Sequence, residues 1–245
     1  MHLFLTSSPC DNCVPEGADL PCILFEKNDF VSNLRRCFQP GSACVMVAAY
    51  PDAYAHNDEM ADTFARAFAW HDMPFSRMTM LDGRNAGQAA ELIRASGVVI
   101  LAGGHVPTEN AFFTDLGLSG LLRDYPGIVM GISAGTMNAC REVYAQPEEA
   151  GEATDPSYRR FLPGLGLTEV MVLPHYQMVK DNRVDGLRLF EDITIPDSVG
   201  RVFYALPDAS YVLQENGHAV LYGEAWIIRD GRMTKLQEDG EAREL

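Results

Sequence analysis

At 245 residues the chain is long enough to bury one sizeable core, and an α/β chain of this length is expected to form a single domain over 1–245. Hydrophobic residues make up 47% and charged residues 22%, an ordinary balance for a globular protein. The formal net charge of −15 repels nucleic-acid phosphates and anionic membranes, so neither is expected as a partner, although a locally basic cleft is not excluded.

The first residues, Met1-His2-Leu3-Phe4-Leu5-Thr6, carry too short an apolar run for a signal sequence and no Lys or Arg before it. They read as a first buried strand. No stretch approaches the roughly 18 apolar residues of a membrane helix, and a cytoplasmic location is the default expectation. A Pro- and Gly-containing loop follows, with Cys10-Asp11-Asn12-Cys13 and Cys22 in it. No second C-x-x-C completes a zinc set, and Pro15, Gly17 and Pro21 keep the motif from opening a helix, as a thioredoxin-type pair would. Reduced thiols in a surface loop are expected, and no metal.

Further along, residues 28–38 predict a helix with Phe30, Val31, Leu34 and Phe38 on one side. Residues 43–49 read as a buried strand. Residues 57–70 read as a helix with Met60, Phe64 and Phe68 at four-residue spacing and Asp58-Glu59 in its first turn. A strand over 75–81, a helix over 85–95 and strands over 97–102 and 128–132 follow. Continuous apolar strands alternating with helices predict an α/β fold, a mostly parallel sheet with helices on both faces. After residue 200 the strands shorten and are punctuated by Glu215-Asn216-Gly217 and Asp230-Gly231, which predicts antiparallel hairpins finishing the sheet. The acidic end from Gln237 reads as solvated.

Chemistry concentrates at Gly131-Ile132-Ser133-Ala134-Gly135, between an apolar strand and a helix. A nucleophile on so sharp a turn has a strained backbone, and the flanking glycines remove Cβ atoms that would clash. The turn also puts the amide of Ala134 at a helix N-terminus, where an oxyanion would form. Serine is a preferred N-cap as well, so the motif alone allows a purely structural role. Its position at the strand-to-helix junction favours the nucleophile. Gly103-Gly104-His105 follows the preceding strand, and in a parallel sheet that loop lies at the same carboxyl edge. Gly104 can supply a second oxyanion N–H, and His105 can touch substrate.

A serine nucleophile needs a base. Among the six histidines, His175 is the best placed, because Met171-Val172-Leu173-Pro174 ends a strand just before it. The base in turn needs a carboxylate. Glu148, Glu149, Glu152 and Asp208 all qualify, and spacing does not choose among them.

With these residues in place, the chain resembles the dipeptidase E (aspartyl dipeptidase) and cyanophycinase family of serine peptidases, whose fold is similar to class I glutamine amidotransferases and is flavodoxin-like. The resemblance rests on Ile100-Leu101-Ala102-Gly103-Gly104, Gly131-Ile132-Ser133-Ala134-Gly135, and Gly164-Leu165-Gly166-Leu167 leading to Leu173-Pro174-His175-Tyr176. It implies Ser133 as nucleophile, His175 as base, the Gly104 and Ala134 amides as oxyanion hole, and an acid near Glu148, with Asp208 as the second choice. It also argues against amidotransferase chemistry, because those enzymes carry a cysteine at the elbow and His-x-Glu, where this chain has Ser133 and His175-Tyr176-Gln177.

The implied substrates are short peptides, often with an aspartyl residue at the scissile bond. Lys180 or Arg183, on a helix expected after His175, would meet the carboxylate. The dense arginine cluster of cyanophycinase-like enzymes is missing, and His105 departs from the family's usual residue. No cofactor is implied, and a homodimer is the base-rate expectation. Two rival readings use the same fold: a binding protein without turnover, with His175 far from Ser133, and an esterase.

Overall fold

The computed structural model describes residues 1–245, and its architecture is α/β. In chain order, β1 (His2–Thr6) is followed by the short pair β2 (Cys10–Asp11) and β3 (Ile23–Leu24), then α1 (Phe30–Cys37), β4 (Ala43–Val47) and α2 (Tyr54–Trp70). Next come β5 (Arg77–Leu81), α3 (Ala89–Arg94), β6 (Val98–Leu101), α4 (Val106–Asp115), α5 (Leu118–Leu122), β7 (Ile128–Ile132) and α6 (Ala134–Ala139). The second half holds β8 (Glu142–Tyr144), β9 (Phe161–Pro163), β10 (Met171–Leu173), α7 (Tyr176–Val179), β11 (Arg183–Val184) and β12 (Leu187–Arg188). It ends with β13 (Val202–Ala205), β14 (Tyr211–Glu215), β15 (His218–Tyr222), β16 (Ala225–Arg229), β17 (Arg232–Gln237) and β18 (Ala242–Glu244). No helix is long and apolar enough to cross a membrane.

The large sheet has the order β18-β15-β14-β1-β7-β6-β4-β5. Its five strands from β1 to β5 in that order are mutually parallel, while β14, β15 and β18 are each joined to the sheet by antiparallel pairing. The apolar runs of the parallel strands are continuous because both faces are covered, and alternate residues point to opposite faces. Phe4, Met46, Ile100 and Met130 pack with Phe30 and Leu34 of α1 and Phe64 and Phe68 of α2. Leu3, Leu5, Val45, Val99 and Val129 pack on the other face with Ile93 of α3, Phe112 and Phe113 of α4, and Leu118 and Leu122 of α5. Each fully buried side chain of this kind contributes roughly 1.5–3 kcal/mol.

Three expectations change, and two helices appear where none was expected. The helices α4 and α5 carry no clear sequence period, since the adjacent Phe112-Phe113 blur it and Gly117, at φ 63°, interrupts the pair. The helix α2 begins at Tyr54 rather than at 57, and Asn57, buried, donates to Tyr50 O and to Asp82 Oδ2.

The late hairpins do not all finish the large sheet. Strands β10, β13, β16 and β17 form a sheet of their own, with β10 and β13 parallel. Its core residues Met171, Leu173, Phe203 and Ile228 pack with Met137 of α6. The chain changes sheets between β13 and β14, where Pro207 cannot donate to a ladder and Ala209 takes φ 70°. Finally, the acidic end is not merely solvated: Ala242–Glu244 pairs with β15, and its exposed charges leave a blunt edge.

Candidate active site

Three neighbouring parallel strands, β1, β7 and β6, end side by side, so the residues that follow them meet at one edge. They are Ser7 after β1, Ser133 after β7 and Gly103-Gly104 after β6. This carboxyl edge is where open parallel sheets commonly bind ligands.

Ser133 has φ 51° and ψ −115°, outside the regions an L-residue ordinarily occupies. Its neighbours explain how the turn closes. A Cβ at Gly131 would lie 2.6 Å from Thr136 Cα, and one at Gly135 would lie 2.4 Å from Leu101 O. The backbone of Ser133 is pinned by donation from its N–H to Ser7 O at 3.0 Å and Thr6 O at 3.2 Å. Its side chain makes no capping hydrogen bond to α6, which removes the helix-cap explanation for a serine here. The first bond of α6 runs from Met137 N–H to Ser133 O, so the N–H of Ala134 lies ahead of the helical ladder.

The other half of the site comes from the small sheet. The β10–β13 ladder continues past the strands, with Leu206 N–H on Leu173 O and Tyr176 N–H on Leu206 O. That pairing carries His175 and Asp208 together. His175, at φ 56°, has Nδ1 2.7 Å from Asp208 Oδ1. An ionised carboxylate only accepts, so Nδ1 carries a proton, which in the neutral imidazole leaves the lone pair on Nε2.

Ser7 ties the two halves: its hydroxyl donates to Asp208 Oδ1 at 2.8 Å and accepts the His175 N–H at 2.7 Å. Gln177 donates to Asp208 Oδ2 at 2.7 Å and accepts the Asp208 N–H at 3.1 Å. Burial opposes charge on Asp208, but the bonds from His175, Ser7 and Gln177 outweigh it and hold the carboxyl below its usual range. Neither Ser7 nor Gln177 was singled out by the sequence. Ser7 had the same signal as His175, a polar residue directly after a strand of buried residues.

Ser133, His175, Gly104 and Ala134 line one cavity of about 330 Å³. Glu148, Arg183, Asn182 and Gln146 supply most of its other polar wall, and Met137, Val179, Val184 and Leu189 its apolar one. The carboxylate bonded to His175 is Asp208, the sequence's second choice. Glu148, its first, faces the same cavity without bonding the imidazole. It sits in the loop after β8, outside the ladder that aligns 175 with 208. Desolvation pushes the Glu148 carboxyl up, with His105 opposing and Glu152 and Glu149 adding to the rise.

His105 lies outside the cavity wall, contrary to its expected contact with substrate. Both ring nitrogens are occupied, Nδ1 with Thr108 Oγ1 at 2.7 Å and Nε2 with Glu152 Oε1 at 2.8 Å. Its N–H donates to the Tyr50 hydroxyl, which fixes the Gly104 loop. Glu152 in turn accepts the N–H groups of Glu148 and Glu149. Arg183 reaches the cavity from the β11–β12 hairpin rather than from a helix, because α7 ends at Val179. Lys180 does not line the cavity. Ligand-type atoms gather at His105, Glu149 and Glu152, and at His2, Cys37 and Glu215. In each group a carboxylate is already held by protein donors, Glu152 by His105 and Glu215 by Arg36.

A profile of peptidase family S51 matches residues 39–222. The 1.5 Å crystal structure of a candidate peptidase E from Listeria monocytogenes EGD-e is similar to the chain, with a TM-score of 0.58 and 14% sequence identity, over 96% of this chain and 98% of that one. At that identity the likeness concerns the fold. No curated protein matches the sequence.

Proposed function

The chain belongs to peptidase family S51 and is a peptidase, and from that premise we propose that it hydrolyses short peptides with Ser133, His175 and Asp208 as its triad. The observation that carries this reading is the His175–Asp208 pair at 2.7 Å sharing a cavity with a strained serine whose hydroxyl caps nothing.

In the proposed reaction Ser133 Oγ attacks the scissile carbonyl carbon and gives its proton to His175 Nε2. Asp208 keeps the Nδ1 proton in place and stabilises the imidazolium. The N–H groups of Gly104 and Ala134 receive the oxyanion. His175 then returns the proton to the leaving amine, and a water molecule repeats the sequence to release the acyl group. Ser133 makes no hydrogen bond to His175, and such bonds commonly tighten only around substrate.

The cavity's polar wall favours a small zwitterion. Glu148 is placed to receive a substrate ammonium group, and Arg183 a carboxylate. A short peptide with a free amino terminus and an acidic group satisfies both. This makes Asp-X dipeptides the first substrates to examine.

The test is fluorophosphonate labelling together with hydrolysis of Asp-X and isoaspartyl dipeptides. Wild type is expected to label and to cleave at least one of them, and Ser133→Ala to do neither. Equal labelling of Ser133→Ala would place the nucleophile elsewhere. Labelling without cleavage of any dipeptide would remove the substrate class and leave the nucleophile standing.

A further inference from the structure

We propose that Cys10 and Cys22 are an oxidative modification site, forming a disulfide that closes residues 10–22 into a ring beside the triad. The two sulfurs are hydrogen-bonded at 2.8 Å. Backbone pairing fixes the approach, since Cys10 in β2 lies opposite Leu24 in β3, and Cys22 is two residues before Leu24, on the same face. Cys22 is buried and Cys10 half-buried, whereas Cys13, the other half of the C-x-x-C, is exposed and has no sulfur partner. The contact therefore selects the 10–22 pairing over the 10–13 pairing that the motif suggests.

Cys37, Cys140 and Cys44 are poor competitors. Burial pushes Cys37 and Cys140 up to about 11 and Cys44 higher still. The hydrogen bond from Cys10 lowers the Cys22 thiol instead, so this pair supplies a thiolate more readily.

A hydroperoxide completes the balance. One thiolate of the pair attacks the O–O bond and becomes a sulfenic acid, releasing an alcohol or water. The second thiol then attacks that sulfur, and its proton leaves with the hydroxyl as water. The sulfurs go from two thiols to one disulfide, and the peroxide takes up the two electrons.

The loop is joined to the catalytic wall over a few residues. Ser7 bridges His175 and Asp208, Ser8 O accepts the Ala209 N–H at 3.3 Å, and Ser8 Oγ accepts the Cys10 N–H at 3.2 Å. A bond at Cys10 therefore staples the far end of the segment that carries Ser7.

The experiment treats the full chain with hydrogen peroxide, alkylates the remaining thiols, and maps cross-links by mass spectrometry without reduction. The expected product is a Cys10–Cys22 linked peptide with loss of two free thiols per chain, still formed in Cys13→Ser and absent in Cys10→Ser. Proteolytic nicking within the loop should slow in the oxidised wild type. A 10–13 or 13–22 link, separate sulfinic acids without a link, or unchanged nicking would overturn the proposal. The chemical readout does not depend on hydrolysis, so its failure is separable from failure of the triad.

Discussion

Asp208 is held by three side chains at once, which makes it the residue whose role can be read most sharply from kinetics. Replacing it with Asn keeps the shape but removes the charge that fixes the His175 tautomer. Asp208→Asn is expected to lower kcat by about 10³- to 10⁴-fold with little change in KM. Glu148→Gln should do the reverse, raising KM with kcat less affected, because Glu148 lines the cavity without bonding the imidazole. Steady-state kinetics on one dipeptide separates the two, and a larger kcat loss for Glu148→Gln would return the triad acid to the sequence's first choice. That Ser133 and His175 meet in one cavity was legible because each follows an apolar run at a strand end. The partner of His175 was not, since its contact depends on pairing β10 with β13, and the family resemblance favoured a carboxylate near Glu148.

The helix pair α4 and α6 controls the spacing of the two proposed oxyanion donors, because Gly104 precedes α4 and Ala134 opens α6. A buried bond joins them: Asn138 Nδ2 donates to Glu109 Oε2 at 2.9 Å and to Val106 O at 3.2 Å. Glu109 is fully buried, and desolvation raises its carboxyl well above the usual range, with the Asn138 bond opposing only in part. The folded protein thus keeps a proton that the unfolded chain releases above about pH 4.3. By linkage this group's contribution is whole below that pH and is lost as pH rises toward the folded value. Glu109→Gln keeps an acceptor with nothing to ionise. It should therefore be at least as stable as wild type at pH 7, with the difference shrinking toward pH 4, as thermal melts across that range would show. Glu109→Ala leaves Asn138 short of a partner and should cost about 1–3 kcal/mol. A constant difference between wild type and Glu109→Gln across the range would mean that Glu109 is not the group responsible. The sequence did not disclose this pin, because α4 itself lacked a readable period.

At the scale of the whole molecule, the proposed nucleophile and its base stand on different sheets. Ser133 follows β7 of the large sheet, while His175 and Asp208 follow the parallel pair of the small one. The general α/β plan was legible from alternating apolar runs, but the second sheet was not. Hairpin strands look alike in sequence whichever sheet they join, and only tertiary packing assigns them. In the proposed mechanism that packing is expected to set the distance between Ser133 and His175. Phe203, fully buried in β13 and stacked on Tyr144 at 4.7 Å, lies in the core between the small sheet and α6. Phe203→Leu should cost less than the 3–5 kcal/mol of a Phe→Ala change, and each 1 kcal/mol lowers Tm by about 2–4 °C in a chain of this size. It should also displace His175 from Ser133, and a misplacement of about 1 Å can cost roughly 100-fold in rate. Phe68→Leu is the matched control, being equally buried in α2 on the far face of the large sheet. Comparable melting shifts, with kcat and Ser133 labelling falling only in Phe203→Leu, are the expected result. If both variants lose activity in proportion to stability, packing between the sheets does not set the distance between Ser133 and His175.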